Sequence, residues 1–451
     1  MSVRKVNIIA YVVALIMSFV MIQSVSAAAL ADWSGVETRI VKLFYPGQSS
    51  YQWLRSKDHK KAFNKVRKGE ACISCHEEEE PDIGDLIVSG EKLEPNPIDG
   101  KPGSIDLLVQ AAYDAENAYM RFQWKTANAA PGEAHTYWKF NGAEWQSFGG
   151  SRLSEDVRKG DEPAIQEDRL SLMIDDGSVP MFAAQGCWLT CHDGMVDMQK
   201  EAKQKAIDGD PLLGAQLHAT EVRKYLPGSR TDVRATWSNG RSANELDELK
   251  ASGGFVDLMQ WRGSRSNSVD MADDGYILEY RYSDEGKSVY TKNWDDTKNQ
   301  PLYMFDASKT GFKAKSVEDL GDVSNAFALV PEMNAVAFDP KSNWQKGDAI
   351  PKYVVSRTNA SGSAADNQDV KAEWKDNMWT VEWTRKLNTG NPDDKVLIPG
   401  GAVVVGFAVH DDNISSRGHH VSFPLTLGFG VDGHVDISAV TLDARAQVIA
   451  Q

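Results

Sequence analysis

The sequence predicts a mainly β protein in which a large β-sandwich follows a small, mostly helical N-terminal domain. Three observations carry that reading. Apolar and polar residues alternate in several separate stretches, the period of a strand with one buried face. An Asn141-Gly142 pair lies between aromatic-rich arms, a strong short-range hairpin signal. Before the alternation begins, a charged, helix-like stretch runs up to the first pair of cysteines.

Taken in order, residues 1–27 read as a secretory signal peptide. Arg4 and Lys5 precede an apolar run from Ile8 to Ile22, and Val25-Ser26-Ala27 offers a small-residue cleavage site near Ala27. The run is shorter than the ~20 residues a spanning helix needs. Cleavage removes Arg4, Lys5 and no acidic residue, so the net charge moves from −15 to −17. Such a surface repels nucleic acid and suits docking against a basic protein partner. A periplasmic location follows from the export signal.

Residues 28–103 form the expected small domain. Ser49 to Gly69 has helical spacing, with Tyr51, Trp53, Leu54, Ala62, Phe63 and Val66 among charged residues and Gly69 as its stop. Cys72-Ile73-Ser74-Cys75-His76 then has the signature of c-type haem attachment. Each thiol bonds one vinyl group of the porphyrin, and the adjacent imidazole becomes an axial ligand of the iron. No methionine occurs between Met21 and Met120, and His59 is the other histidine of this domain. His76 and His59 are therefore the expected ligand pair, giving a lower potential than a His/Met haem. Glu77 to Glu80 form a solvated acidic run that would also attract a basic partner. Glu94-Pro95-Asn96-Pro97, Gly100 and Pro102-Gly103 mark the linker.

Residues 104–451 are the expected sandwich. Ala118, Met120, Phe122 and Trp124 alternate with polar neighbours, as do Trp379, Val381 and Trp383. Arg169–Ile174, Ala402–His410 and His419–Leu427 are further strands. Residues from about 195 to 375 read as a long irregular insertion. Within it Met195–Ile207 is a candidate helix, and Ser242 with Glu245 forms a capping box for a short helix stopped at Gly253-Gly254. Residues 359–369 read as an exposed loop, and Asp411-Asp412-Asn413 as a turn lacking calcium-loop spacing.

A looser second motif, Cys187-Trp188-Leu189-Thr190-Cys191-His192, carries one extra residue between its thiols. The two motifs account for all four cysteines. In an oxidising compartment two disulfides are the bland alternative, and a tetrahedral zinc site another. Neither needs a histidine directly after each pair, so two covalent haems c are the better reading. With His192 as one ligand, the other is expected from His410, His419 or His420, since three of the nine histidines fall within these eleven residues. Period-two geometry puts His419 on the face of Val421, Phe423, Leu425 and Leu427, and His420 on the opposite one. Met181, Met195, Met198 and, more remotely, Met259 compete for the role.

From about Ile105 to Gly430 the chain resembles the ethylbenzene dehydrogenase-type haem-binding family. The likeness rests on Phe182–Gly194, Asp257–Arg265, Trp379–Leu387 and His410–Phe423. It implies a periplasmic β-sandwich that transfers electrons, in some cases as the haem subunit of a molybdenum enzyme of the dimethyl sulfoxide reductase class. The best-known members hold haem without covalent bonds, through methionine and lysine. A thiol pair with His192, and an added Cys72–His76 domain, are departures from that pattern. The resulting expectation is a dihaem c-type cytochrome exchanging electrons with a redox partner, a membrane-bound cytochrome or a molybdenum enzyme being the candidates. It is read as an electron carrier rather than a catalyst. The rival is an enzyme with an open, five-coordinate second haem acting on a small substrate.

Overall fold

The alternating stretches fold as strands of one large sheet doubled on itself. The computed structural model describes residues 32–47, 62–66, 68–90, 97–126, 132–191, 203–210, 214–215, 218, 225–231, 239–321, 328–415 and 418–442, with the backbone alone for 187–191. The first strands are β1 (Arg39–Phe44), β2 (Ser104–Tyr113), β3 (Asn117–Lys125), β4 (Tyr137–Phe140), β5 (Trp145–Phe148), β6 (Arg169–Asp175) and β7 (Val256–Arg262). They are followed by β8 (Gly275–Ile277), β9 (Arg281–Ser283), β10 (Asp369–Lys375), β11 (Met378–Lys386) and β12 (Ala402–His410). Short strands β13 (His420–Val421), β14 (Leu425–Phe429) and β15 (Ile437–Thr441) end the described chain.

The sheet runs β10-β11-β3-β2-β1-β13-β12-β6-β7-β8-β9, and β14 and β15 bridge β12 back to β2. That second connection closes the middle of the sheet and brings its two wings face to face. Phe122 and Trp124 of β3 and Trp379 and Trp383 of β11 meet Leu170 and Leu172 of β6, Trp261 of β7 and Phe407 of β12 in the main core. Trp261 and Trp379 pack edge to face with centroids 4.9 Å apart, the arrangement favoured by the ring quadrupole. The two indole N–H groups of β11 are satisfied: Trp379 donates to Asp168 at 2.8 Å and Trp383 to Asn367 at 3.0 Å. The expected sandwich is present.

The sequence reading and the fold part company in four places. Residues 39–44, inside the stretch read as a helical domain, form a strand between β2 and β13. The stretch read as an irregular insertion supplies β7, β8 and β9, because Asp257, Gln260 and Arg262 break the apolar pattern of a strand whose seven residues are all buried. His419–Leu427 is not one strand. It divides into β13 and β14 around Pro424, which has no N–H to give a ladder. The loop at 359–369 is partly inside, with Ser363, Ala364, Ala365 and Asn367 buried.

Other expectations hold. β4 and β5 pair as a hairpin, although its loop spans four residues, with Asn141 Oδ1 accepting from the N–H groups of Ala143 and Glu144. Ser242 caps a helix at Ala243–Ala251, its N–H donating to Glu245 at 2.9 Å. Of the two other expected helices, only Phe63–Val66 and Gln204–Asp208 fall among the described residues. Among those residues no helix is long and apolar enough to cross a membrane.

The outer face of β6, β7, β12 and β13 carries a second apolar layer. Met173, Leu258, Ala408, Val421 and Phe423 look outward there, against Val66, Cys72, Val179 and Phe182. This layer positions the thiol motifs.

Candidate functional site

Cys72, Cys75 and His76 lie on one turn of helix. Helix α1 (Ile73–His76) starts directly after Cys72, whose carbonyl accepts from the N–H groups of Cys75 and His76 at 3.1 and 3.2 Å. Spacings of three and four residues bring all three side chains to one face. Among the described cysteines neither is in a disulfide; Cys72 is buried and Cys75 exposed. Burial pushes the Cys72 thiol up to about 12, so it packs as a neutral, apolar group.

His76 is oriented from behind. Its Nδ1 donates to Glu79 Oε2 at 2.7 Å; a carboxylate only accepts, so the neutral imidazole carries its lone pair on Nε2. That is how ligating histidines are commonly held. Glu79 thus has a task beyond the solvated acidic face, and Glu80 opens helix α2 (Glu80–Val88), where negative charge complements the dipole. Glu77 and Glu78 are exposed.

The second motif begins close to the first. Helix α3 (Pro180–Cys191) is interrupted at Gly186, whose φ of 70° and ψ of −172° break the helical path. A side chain there would also stand 3.0 Å from Pro424 Cδ, so glycine is required twice over. Just before the break, Ala184 accepts from the Cys72 N–H at 3.2 Å, and the Gln185 amide donates to the Val66 carbonyl at 2.6 Å. Ala184 is three residues from Cys187, on the order of 10 Å even if extended. The backbone from Cys187 to Cys191 is helical, which sets the two positions one turn apart. A four-residue step serves in a helix as well as the three-residue step of the first motif. His192, His59, Met195 and Met198 lie outside the described residues. Met181 sits beside Gly69, near the first motif, whereas Met259 is wholly buried in the sandwich core.

The three clustered histidines are brought together where β12 ends and β13 begins. His410 and His419 stack with centroids 4.5 Å apart and planes 15° from parallel. His420 is wholly buried; its Nε2 donates to the Pro102 carbonyl at 2.8 Å, and its Nδ1 is 4.0 Å from Asp411. Burial and the nearby Lys101 ammonium push its pKa down to about 3. Lys101 in turn forms a buried ion pair with Asp411 at 2.8 Å. The expectation built on a continuous strand therefore loses its basis, since the chain leaves the ladder after Val421. Ser422 and Pro424, which touch Gly186, tie this cluster to the second thiol motif.

The sequence model of the ethylbenzene dehydrogenase family matches residues 75–422, from the second thiol of the first pair to the strand beside the histidines. The chain belongs to that family. It is 28% identical over 417 residues to cytochrome c-552 of Stutzerimonas stutzeri, covering 92% of this chain and 91% of that one. It is also 28% identical over 171 residues to cytochrome c-551 of Rhodocyclus tenuis, covering 37% of this chain and 57% of the other. The donor set in this family member, two thiols and an oriented imidazole on one helical turn, fits covalent haem c.

Sequence reasoning missed Glu79, Lys101 and Asp411 as partners of the histidines. Glu79 had a local signal, three residues after His76. The pairing of Lys101 with Asp411 across 310 positions had none.

Proposed function

We propose that this protein is an exported, dihaem c-type cytochrome that passes electrons between redox proteins. Cys72 and Cys75 hold one haem, with His76 and His59 as its axial ligands. Cys187, Cys191 and His192 hold the second, completed by His410, His419 or His420. The haem iron supplies the one-electron chemistry. The chain supplies attachment, axial nitrogen and a buried setting. The observation that carries the reading is the turn of Cys72, Cys75 and Glu79-held His76, bonded to α3 three residues ahead of the second thiol pair. Two haems held that close suit an internal relay. Exposed Glu77 and Glu78 beside the exposed Cys75 suit a basic docking partner such as a membrane-bound cytochrome or a molybdenum enzyme.

Mass spectrometry of the denatured, exported protein tests attachment. The expected mass is the chain from about Ala28 plus two haems; a chain with disulfide-linked cysteines and no haem overturns the proposal. Low-temperature electron paramagnetic resonance tests the carrier role. Two low-spin ferric signals are expected, His59→Ala should turn one of them high-spin, and a high-spin second haem in the wild type would point to an enzyme instead.

A further inference from the structure

Around the start of β7 five aspartates converge in the interior. Asp257 is the second residue of β7, Asp274 precedes β8, Asp284 follows β9, and Asp393 and Asp394 lie in the loop after β11. None is more than 7% exposed. One carboxylate oxygen each from Asp257, Asp274 and Asp394 lie within 4.8 Å of one another. Oxygens sharing one calcium ion, at about 2.3–2.6 Å each, span no more than about 5 Å.

The carboxylates are held from outside and bare within. Asp257 Oδ2 accepts from the Arg385 guanidinium and the Lys395 N–H, both at 2.9 Å. Asp274 accepts from Asn367 at 2.6 Å and from the Gly275 N–H at 3.0 Å. Asp393 Oδ2 accepts from Ser363 and the Glu285 N–H, and Asp394 Oδ2 from Asn391. Among the described residues the opposing oxygens, Oδ1 of Asp257, Asp393 and Asp394, have no hydrogen-bond donor. Asp284 is the independent sign: it is 4% exposed, neither of its oxygens has a donor among the described residues, and the charges acting on it most strongly are Asp393, Asp257 and Asp394.

Protein cations do not fill the gap. Arg385 is bonded to Asp257 and stands 3.8 Å from Asp394. The Lys395 ammonium turns away, to Asp176 at 2.7 Å and the Gly253 carbonyl at 2.6 Å. Five buried carboxylates with the Arg385 guanidinium and, acting on Asp284, the Lys250 ammonium are still heavily undercompensated. Oxygens oriented by outer hydrogen bonds, with no sulfur or imidazole among them, make a donor set for a hard divalent cation.

We infer that Asp257, Asp274 and Asp394, with Asp284 and Asp393 beside them, form a structural calcium site that pins the edge strands β8 and β9 and the loop after β11 to β7. Asp257 lies on the face of β7 that carries Met259 and Trp261, opposite the layer that Val256 and Leu258 share with Cys72, so the site acts on stability and leaves electron transfer alone.

The test uses the full haem-bearing protein, equilibrated with calcium chloride, desalted and analysed by elemental mass spectrometry. One calcium per chain is expected to remain. Adding EDTA should lower Tm by about 5–10 °C, with calcium restoring it and magnesium restoring less. Asp394→Asn should lose the bound calcium and the response to EDTA with an unchanged haem spectrum. A wild-type protein that retains no calcium, and melts identically in EDTA and in calcium, overturns the inference whatever the variant does.

Discussion

Strand β7 ends in two buried ionic clusters of opposite character. Around Arg262, at its C-terminal end, Arg169, Arg262 and Arg265 share Glu167 and Asp273. Arg265 donates to Glu167 Oε1 at 2.7 Å, the N–H groups of Ser264 and Arg265 donate to Oε2, and Arg262 pairs with Asp273. Burial alone would raise the Glu167 carboxyl; Arg265, Arg169 and Arg262 outweigh it and hold the group well below the usual range. Around Asp257, at the other end, burial dominates, helped by Asp394, and pushes the carboxyl up to about 7. One cluster is internally complete, while the other is built around a missing positive charge. Burial of charge is thus tolerated in two ways, by protein partners or by a site for an external one.

The largest test of that contrast is Glu167→Gln. It strips three guanidiniums of their shared carboxylate and should cost about 3–5 kcal/mol in chemical denaturation. A loss below about 1 kcal/mol would mean that the basic cluster is not held by its own acid.

Next in size is an acid dependence at the basic end. Burial, then Arg265, push the His135 pKa well below its ordinary 6.5, and its Nδ1 accepts from the Thr136 N–H at 2.8 Å. The folded protein therefore keeps this ring neutral, while the unfolded chain takes up a proton below about pH 6.5. This contribution to stability is complete above pH 6.5 and shrinks as pH falls, by about 1.4 kcal/mol per pH unit. Comparing melting curves at pH 7.5 and 5.5, His135→Gln should show a shallower loss than the wild type. Equal slopes would remove His135 from the account.

The smallest effect carries the opposite sign. In EDTA, Asp284→Asn relieves repulsion among unpaired carboxylates and should stabilise the protein by about 1 kcal/mol. Destabilisation in EDTA would show that the acidic cluster is complete without a cation.

These clusters also mark what could be read from the chain. Strands such as β3 and β11 were legible because Phe122 and Trp124, or Val381 and Trp383, point inward on alternate positions. The Ser242 cap was legible because its partner Glu245 is three residues away. β7 was not, since Asp257, Gln260 and Arg262 satisfy their polar groups with residues distant in sequence. Asp257–Arg265 carried family likeness before its shape was apparent. The two thiol motifs and the histidine after each were read from spacing alone. The engagement of His420 with Pro102, 318 positions apart, left no local trace.

The placement of β1 has a practical outcome for anyone dissecting this protein. Residues 39–44 fill an interior lane of the sheet, paired on one side with β2 and on the other with β13. Cutting the chain near Ser104, to isolate the later motif, would bare two strand borders whose peptide groups would recruit neighbouring molecules. A fragment that stays monomeric has to keep those six residues, on the same polypeptide or supplied as a separate peptide.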